Sequence, residues 1–383
     1  MEKFVLLSMF YNRSLEKTIE KWMFRQKALV ITGARQVGKT TLLENLLRKS
    51  QKNTLYFNAE EPANKKLFEE LSVVKLRNIV GENEIIVIDE AQQIENIGLC
   101  LKLMVDNFKD KQIFATGSSA LEIADKIFEP LTGRHFLFHL YPLSITEIYN
   151  NNQHKQLYEN LNWHLVHGMY PDAVNNKTDA EKFIKSLAGQ YLYKDVLAWK
   201  DIRKPELLYK LLQLLAHQMC NEISMQELAI QLKVKSETVE TYLDLLEKSF
   251  VVFRLRSHST NDRKEVTKMK KIYFWDNGIR NAIIDNFKSI ELRSDAGALW
   301  ENFAITERMK MNHYKERSIY SKFWRSKQQQ EVDYVETEHD DLRGYEMKFN
   351  STQKVRITKA FTNMYPDAKT EIITPDNFID FIS

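Results

Sequence analysis

The chain is poor in the residues that loosen or staple a polypeptide: of 383 residues, 7 are proline, 11 glycine and 2 cysteine. So little Pro and Gly excludes long low-complexity or disordered tracts. The two cysteines, Cys100 and Cys220, stand among apolar neighbours with no metal-like or disulfide-like spacing. They read as buried free thiols, in keeping with a reducing cytoplasm. No apolar stretch reaches the length of a membrane span. The short apolar start, Phe4 to Phe10, has Glu2 at its head and no small-residue cleavage site, so neither a membrane nor a secretory route is expected. One-sided charge is lacking too: 55 Lys and Arg against 52 Asp and Glu leave a net charge of +3. That does not mark a nucleic-acid binder, and local patches have to decide. What is present is ordinary for a globular chain, with 43% apolar and 28% charged residues and a length that suggests two or three domains.

The most informative stretch is Gly33-Ala34-Arg35-Gln36-Val37-Gly38-Lys39-Thr40, between the apolar run Ala28 to Ile31 and the helix-favouring Thr41 to Leu47. Strand, glycine loop and helix, with the spacing G-x-x-x-x-G-K-[ST], make the phosphate-binding loop of a nucleoside triphosphatase. Glycines let successive N–H groups turn inward around phosphate oxygens, and the helix N-terminus adds its dipole. Lys39 would reach the β- and γ-phosphates and Thr40 would give its hydroxyl to Mg²⁺, with Thr41 completing the cradle.

A second run, Glu84 to Ala91, is apolar until it ends in Asp89 and Glu90. Apolarity at every position means a strand buried on both faces, and in a parallel sheet its carboxyl end opens where ligands bind. Asp89 would hold the Mg²⁺ shell and Glu90 would polarise the attacking water. A third buried strand, Gln112 to Thr116, runs into Gly117-Ser118-Ser119. Ser118 or Ser119 orients the γ-phosphate or the water, or caps the helix that begins at Ala120. Arg134 precedes the strand-like His135 to Leu140. Arg13, ahead of the first strand, could lie near a bound base, but a solvated surface residue is the preferred reading. The pairs His135/His139 and His164/His167 lack acids or cysteines at helpful spacing and read as packing or surface histidines.

With Val87-Ile88-Asp89-Glu90-Ala91-Gln92, Thr116-Gly117-Ser118-Ser119, Leu131-Thr132-Gly133-Arg134, Tyr141-Pro142-Leu143-Ser144, Gly168-Met169-Tyr170-Pro171 and Tyr273 to Gly278 beside the loop, the chain resembles a bacterial and archaeal AAA+-type ATPase family whose members carry a C-terminal domain of uncharacterised function. The resemblance covers nearly the whole chain. It implies nucleotide binding on a doubly wound parallel sheet, a sensor role for Ser118 and, for Arg134, an arginine finger inserted by a neighbouring subunit of a homo-oligomer. A plain surface arginine is the equal alternative at that position.

Past the Asn-rich stretch at 150–152, residues 155–220 read as helical. From Ile223 the pattern is that of a winged helix: a capping box at Ser224 to Glu227, a helix to Leu232, a turn, a second helix Glu237 to Lys248, and the strand Phe250 to Leu255. The second helix is acidic, with Glu237, Glu240, Asp244 and Glu247, which favours a protein contact over base reading. The wing at 254–271 is basic, through Arg254, Arg256, Arg263, Lys264, Lys268, Lys270 and Lys271, and could grip DNA phosphates without sequence preference. In the last third, Glu301 on a helix, Asp333 on one strand and Glu346-x-Lys348 on another follow the order of a PD-(D/E)xK nuclease core, with Val332 where that pattern has proline. In an intact site Glu301, Asp333 and Glu346 would share a second divalent metal, and Lys348 would position or deprotonate water; the alternative is a nuclease-like fold kept for structure.

The expectation is therefore an α/β chain. A P-loop, AAA+-like, doubly wound parallel sheet at 1–152 precedes a helical lid at 153–204, a winged helix at 205–263 and a restriction-endonuclease-like α/β domain at 264–383. ATP and Mg²⁺ are the expected ligands, and DNA, a protein or a second copy the expected partners. The expected function is an ATPase whose nucleotide state controls the C-terminal module. An ATP-regulated metal-dependent DNA nuclease and a low-turnover nucleotide-binding scaffold are the alternatives.

Overall fold

The computed structural model describes residues 10–68, 72–117, 131–149, 153–194, 205–258, 270–350 and 356–383. The chain divides into two compact units, residues 1–142 with 248–250, and residues 143–247 with 251–383. Among the described residues, no helix is long and apolar enough to cross a membrane.

The first unit is built on a parallel five-stranded sheet of order β2-β3-β4-β1-β5. Its strands are β1 (Ala28–Thr32), β2 (Thr54–Asn58), β3 (Ile85–Asp89), β4 (Gln112–Gly117) and β5 (His135–His139). Every residue of β1, β3 and β4 is buried, as continuous apolar runs require when helices cover both faces. Helices α1 (Leu15–Trp22) and α2 (Lys39–Ser50) flank β1 in sequence. Register aligns the strand ends: Thr116 of β4 lies opposite Ile31 of β1, and Ala115 opposite Ile88 of β3. The carboxyl ends of the three central strands thus open together, beside the loop that follows β1.

The second unit contains a seven-stranded mixed sheet of order β12-β11-β10-β9-β7-β8-β6. These are β6 (Glu222–Ile223), β7 (Val252–Ser257), β8 (Lys270–Phe274), β9 (Tyr320–Arg325), β10 (Glu331–Glu338), β11 (Asp341–Met347) and β12 (Lys369–Ile373). Helices α3 (Met225–Leu232) and α4 (Ser236–Lys248) come between β6 and β7, and α5 (Asn277–Ile283) and the long α6 (Ala296–Tyr314) follow β8. Because β7 pairs with β8 on one side and β9 on the other, one sheet runs across the boundary expected at 263/264.

Two sequence motifs interlock in this unit. Asp276 caps α5 by accepting from the Ile279 N–H at 3.0 Å, and it also accepts from the Met169 N–H at 2.6 Å. Gly168 has φ +75°, and a Cβ there would collide with the Asp276 carboxylate. Asn277 donates to the carbonyls of Leu165 (3.1 Å) and Leu299 (3.0 Å), and Asn281 to that of Val166 (2.7 Å). The Leu165 and Val166 carbonyls belong to the last turn of a helix ending at His167, so these buried side chains satisfy backbone groups that a helix end leaves open. Nearby, Asp295 takes Arg280 at 2.5 Å and Arg293 at 2.8 Å. Burial opposes its ionisation, but the two guanidiniums outweigh that and hold the carboxyl down to about 2. His164 packs in the same unit, its ring bonded to the Tyr149 hydroxyl at 2.8 Å, and burial pushes it down to about 3.

Gly168→Ala combines a strained backbone with that collision, and it is expected to cost more than about 2 kcal/mol. A thermal unfolding midpoint unchanged from wild type would contradict the interlock. Asp295 has a folded pKa below its usual 3.8, so its stabilisation is complete above that value and drains away as pH falls toward 2. The difference in midpoint between wild type and Asp295→Asn should therefore narrow below about pH 4; a gap that stays constant with acidification would be the opposing result.

Candidate functional site

The loop after β1 is shaped by what it packs on. Gly33 has φ +157°, and a Cβ at this position would run into the carbonyl oxygen of Leu140, so only glycine lets the chain turn here. The Lys39 side chain is 6% exposed and folds back over the loop, donating to the carbonyls of Gly33 at 3.0 Å and Ala34 at 2.9 Å. Arg13 is not a surface residue, contrary to expectation. It is buried, with Nη1 donating to the Val37 carbonyl and Nη2 to the Tyr141 carbonyl, both at 2.6 Å. A guanidinium thus struts the loop against the segment that leaves β5. No sequence pattern within 20 or so residues of Arg13 carries that information, because both of its acceptors are distant backbone carbonyls.

Asp89 is the hub of the site. Its Oδ2 accepts from the Thr40 hydroxyl at 3.1 Å and from the Tyr56 phenol, and its Oδ1 from the Thr116 hydroxyl and, at 3.1 Å, the Glu90 N–H. The structure therefore brings together the loop hydroxyl and the strand-end carboxylate that the sequence singled out, and adds Tyr56 and Thr116. Burial and the Asp89 carboxylate hold the Tyr56 phenol above the usual tyrosine range. Thr116 ends a strand that the apolar run predicts, whereas Tyr56 belongs to no motif in the sequence. Glu90 takes a left-handed backbone, φ +51°, a conformation that in a non-glycine residue marks constraint. Its N–H is 3.2 Å from the Thr116 hydroxyl, and its carboxylate accepts from Gln92 at 2.5 Å.

Of the two other expected site residues, only Arg134 is among the described ones. Ser118 lies outside the described residues, as does Ser119. Arg134 donates to Asp106 at 2.8 Å, and its carbonyl accepts from the N–H of Ala28, the first residue of β1. It therefore stands at the amino end of the sheet, a strand's length, roughly 17 Å, from the loop.

In the second unit, two of the three acids predicted to share a metal, Glu301 and Asp333, converge on an ammonium. Lys271 of β8, 2% exposed, pairs with Glu331, with Glu301 of α6 at 3.3 Å and with Asp333 at 3.8 Å. Glu301 also accepts from the Tyr273 hydroxyl at 2.8 Å, Asp333 from the Met347 N–H at 2.8 Å, and Glu346 pairs with Lys348 at 2.9 Å. Burial would lower Lys271, but Glu301, Asp333 and Glu331 hold it above the usual lysine range. Burial pushes Glu301 up to about 7 and raises Asp333 and Glu346 as well. Among the described residues, no group of three or more His, Cys, Asp or Glu side chains is arranged to hold a metal. Glu301, Asp333 and Glu346 thus meet, but what Glu301 and Asp333 share is the Lys271 charge.

The basic wing is also corrected at its described residues. Arg254 is gripped by Glu240 at 2.7 Å, Asp244 at 2.5 Å and Glu247, and Lys270 by Glu240 at 2.9 Å. The acidic face of α4 and the cations of the hairpin neutralise each other, so Arg254, Lys270 and Lys271 are not a phosphate grip. Arg256 is exposed, while Arg263, Lys264 and Lys268 lie outside the described residues.

Residues 25–149 match a family model described as an AAA domain. Residues 158–289 and 296–378 match two described as domains of unknown function, DUF8612 and DUF4143. An uncharacterized protein of Mycobacterium tuberculosis is 27% identical over 350 residues, covering 90% of this chain and 75% of its own length. An uncharacterized protein of Methanocaldococcus jannaschii is 24% identical, covering 93% of this chain and 83% of its own. Among solved structures, the replication initiator DnaA bound to AMPPCP and single-stranded DNA is 16% identical, with a TM-score of 0.33 over 64% of this chain and 92% of that one. The Thermotoga maritima RuvB Holliday junction branch migration motor is 14% identical, with a TM-score of 0.35 over 65% and 91%. Scores that low carry no weight for the fold, which rests on the parallel sheet, its loop and the family match. The chain carries an AAA-type P-loop domain in its first unit, and its remainder is similar to domains to which no function is attached.

Proposed function

We propose that the chain binds ATP with Mg²⁺ at the loop 33–41 and hydrolyses it, and that nucleotide state governs the second unit. The observation that carries this reading is the apposition of the Thr40 hydroxyl and the Asp89 carboxylate, 3.1 Å apart, beside a loop whose lysine lies over its own carbonyls. The residues fit the ligand. An ammonium that gives bonds to neutral carbonyls gains from exchanging them for phosphate oxygens, since charge-assisted bonds are roughly twice as strong. Gly33, Ala34, Arg35, Gln36, Val37 and Gly38 supply inward N–H groups, and Thr41 continues the helix start. Thr40 and Asp89 would hold the magnesium shell, which when bound neutralises charge on the phosphates.

In this reading Glu90 is the base. Its strained backbone and its bond to Gln92 fix the carboxylate at the strand end, where it can take a proton from an attacking water. Tyr56 and Thr116 keep Asp89 oriented as an acceptor. Arg13 sets the loop's position against β5. Ser118 as a sensor, and Arg134 as a finger supplied by a second copy, complete the proposal.

The order β6, α3, α4, β7, β8 supports reading that part as a winged helix, and β9 to β12 with α6 support a nuclease-like fold. Helices of residues 153–194 would form the lid. The chain enters the second unit at Leu143, whose carbonyl accepts from Lys310 at 3.0 Å, while the Ile145 N–H donates to Glu307 at 2.7 Å. On the loop side, Tyr141 is held by Arg13.

Lys39→Ala is expected to weaken ATP binding by about 10- to 100-fold, the worth of a charge-assisted contact; calorimetry showing wild-type affinity would reject the loop assignment. Glu90→Gln should keep ATP affinity and slow phosphate release about 10²- to 10⁴-fold, as loss of a general base does. Steady-state turnover equal to wild type would remove Glu90 from the chemistry.

A further inference from the structure

The carboxylate cluster of the second unit has the order of a metal-dependent nuclease core, yet its residues do not fit a metal. Lys271 comes from β8, whose register sets it opposite Leu255 of β7 and Glu222 of β6. Alternation along the strand puts Lys271 and Tyr273 on one face, and both reach Glu301. The ammonium also reaches Glu331 and Asp333. The acids have other partners too: Glu346 pairs with Lys348, Asp333 accepts from the Met347 N–H, and Glu331 forms an ion pair with Arg325 at 3.7 Å. A dication entering this space would meet a fixed cation in almost complete burial, where like charges repel with little screening. Moving that lysine aside would strand its carboxylates, the costly way to break a buried pair.

We infer that Lys271 is the resident cation of this cluster, replacing the divalent metal that the Glu301, Asp333 and Glu346 arrangement would otherwise hold, so that the domain does not cleave phosphodiesters and removing the ammonium uncovers a metal site. The strand that supplies the lysine belongs to the β7-β8 hairpin. The charge therefore ties that hairpin to α6 and β10 in place of catalysing a reaction. This inference is independent of the nucleotide site.

The test is Mn²⁺ uptake by the full, nucleotide-free chain, read from the electron paramagnetic resonance signal of free Mn²⁺. Wild type and Asp333→Asn should take up the same amount, since the cluster holds no metal in either. Lys271→Met should gain one Mn²⁺, bound at least about tenfold more tightly than any site wild type shows there, and lose it again in Lys271→Met/Asp333→Asn. Mn²⁺ uptake by wild type that disappears in Asp333→Asn would overturn the inference, as would a folded Lys271→Met with no added site. If Lys271→Met does not fold, the comparison of wild type with Asp333→Asn decides by itself. Mn²⁺-dependent plasmid cleavage by wild type that Asp333→Asn abolishes would also overturn it.

Discussion

The first unit depends on one carboxylate. Asp89 can be reached from Thr40 on α2, Tyr56 on β2 and Thr116 on β4 only because parallel pairing brings their strand ends level. Sheet register thus sets the surroundings of Asp89 as well as the fold. A one-residue slip of β3 would turn Asp89 to the opposite face and scatter these donors. The apolar runs that fix β1, β3 and β4 in the interior therefore also fix the geometry at their ends.

The second unit shows a different use of charge. Arg308 with Glu336 and Glu307 with Lys310 are buried ion pairs, and buried Lys271 pairs with Asp333 and with the partly buried Glu301 and Glu331. Such pairs add little net stability over apolar replacements, but breaking one by removing a single partner is expensive. Their effect is to specify arrangement. Glu307 and Lys310 place the connector at residues 143–145, and Arg308 and Glu336 join α6 to β10. Lys271 joins the hairpin to both α6 and β10. A sequence with 28% charged residues can hold that many inside only by pairing them.

How much of this the sequence displayed depended on the range of each interaction. The loop 33–40 is local, and each residue type in it has a backbone or phosphate reason, so spacing alone located it. Continuous apolar runs located β1, β3 and β4. Arg13 was misread because its acceptors, Val37 and Tyr141, are 24 and 128 residues away. The wing and the acidic helix were each visible as charge patterns, but that Arg254 faces Glu240, Asp244 and Glu247 is set by how the hairpin folds over α4. Lys271 was counted with the wing for the same reason: its burial against Glu301 and Asp333 comes from the sheet running past residue 263. Glu301, Asp333, Glu346 and Lys348 were legible as an order of types, and the intruding cation was not.

The central claim is that the loop, Thr40 and Asp89 form a seat for a triphosphate and its magnesium. The most direct measurement is a crystal structure with a non-hydrolysable ATP analogue and Mg²⁺. The account predicts phosphates inside the 33–41 loop, the Lys39 ammonium moved from the Gly33 and Ala34 carbonyls to phosphate oxygen, and the metal on the Thr40 hydroxyl beside Asp89. An analogue bound elsewhere, or a Lys39 still lying on those two carbonyls with nucleotide present, would contradict it.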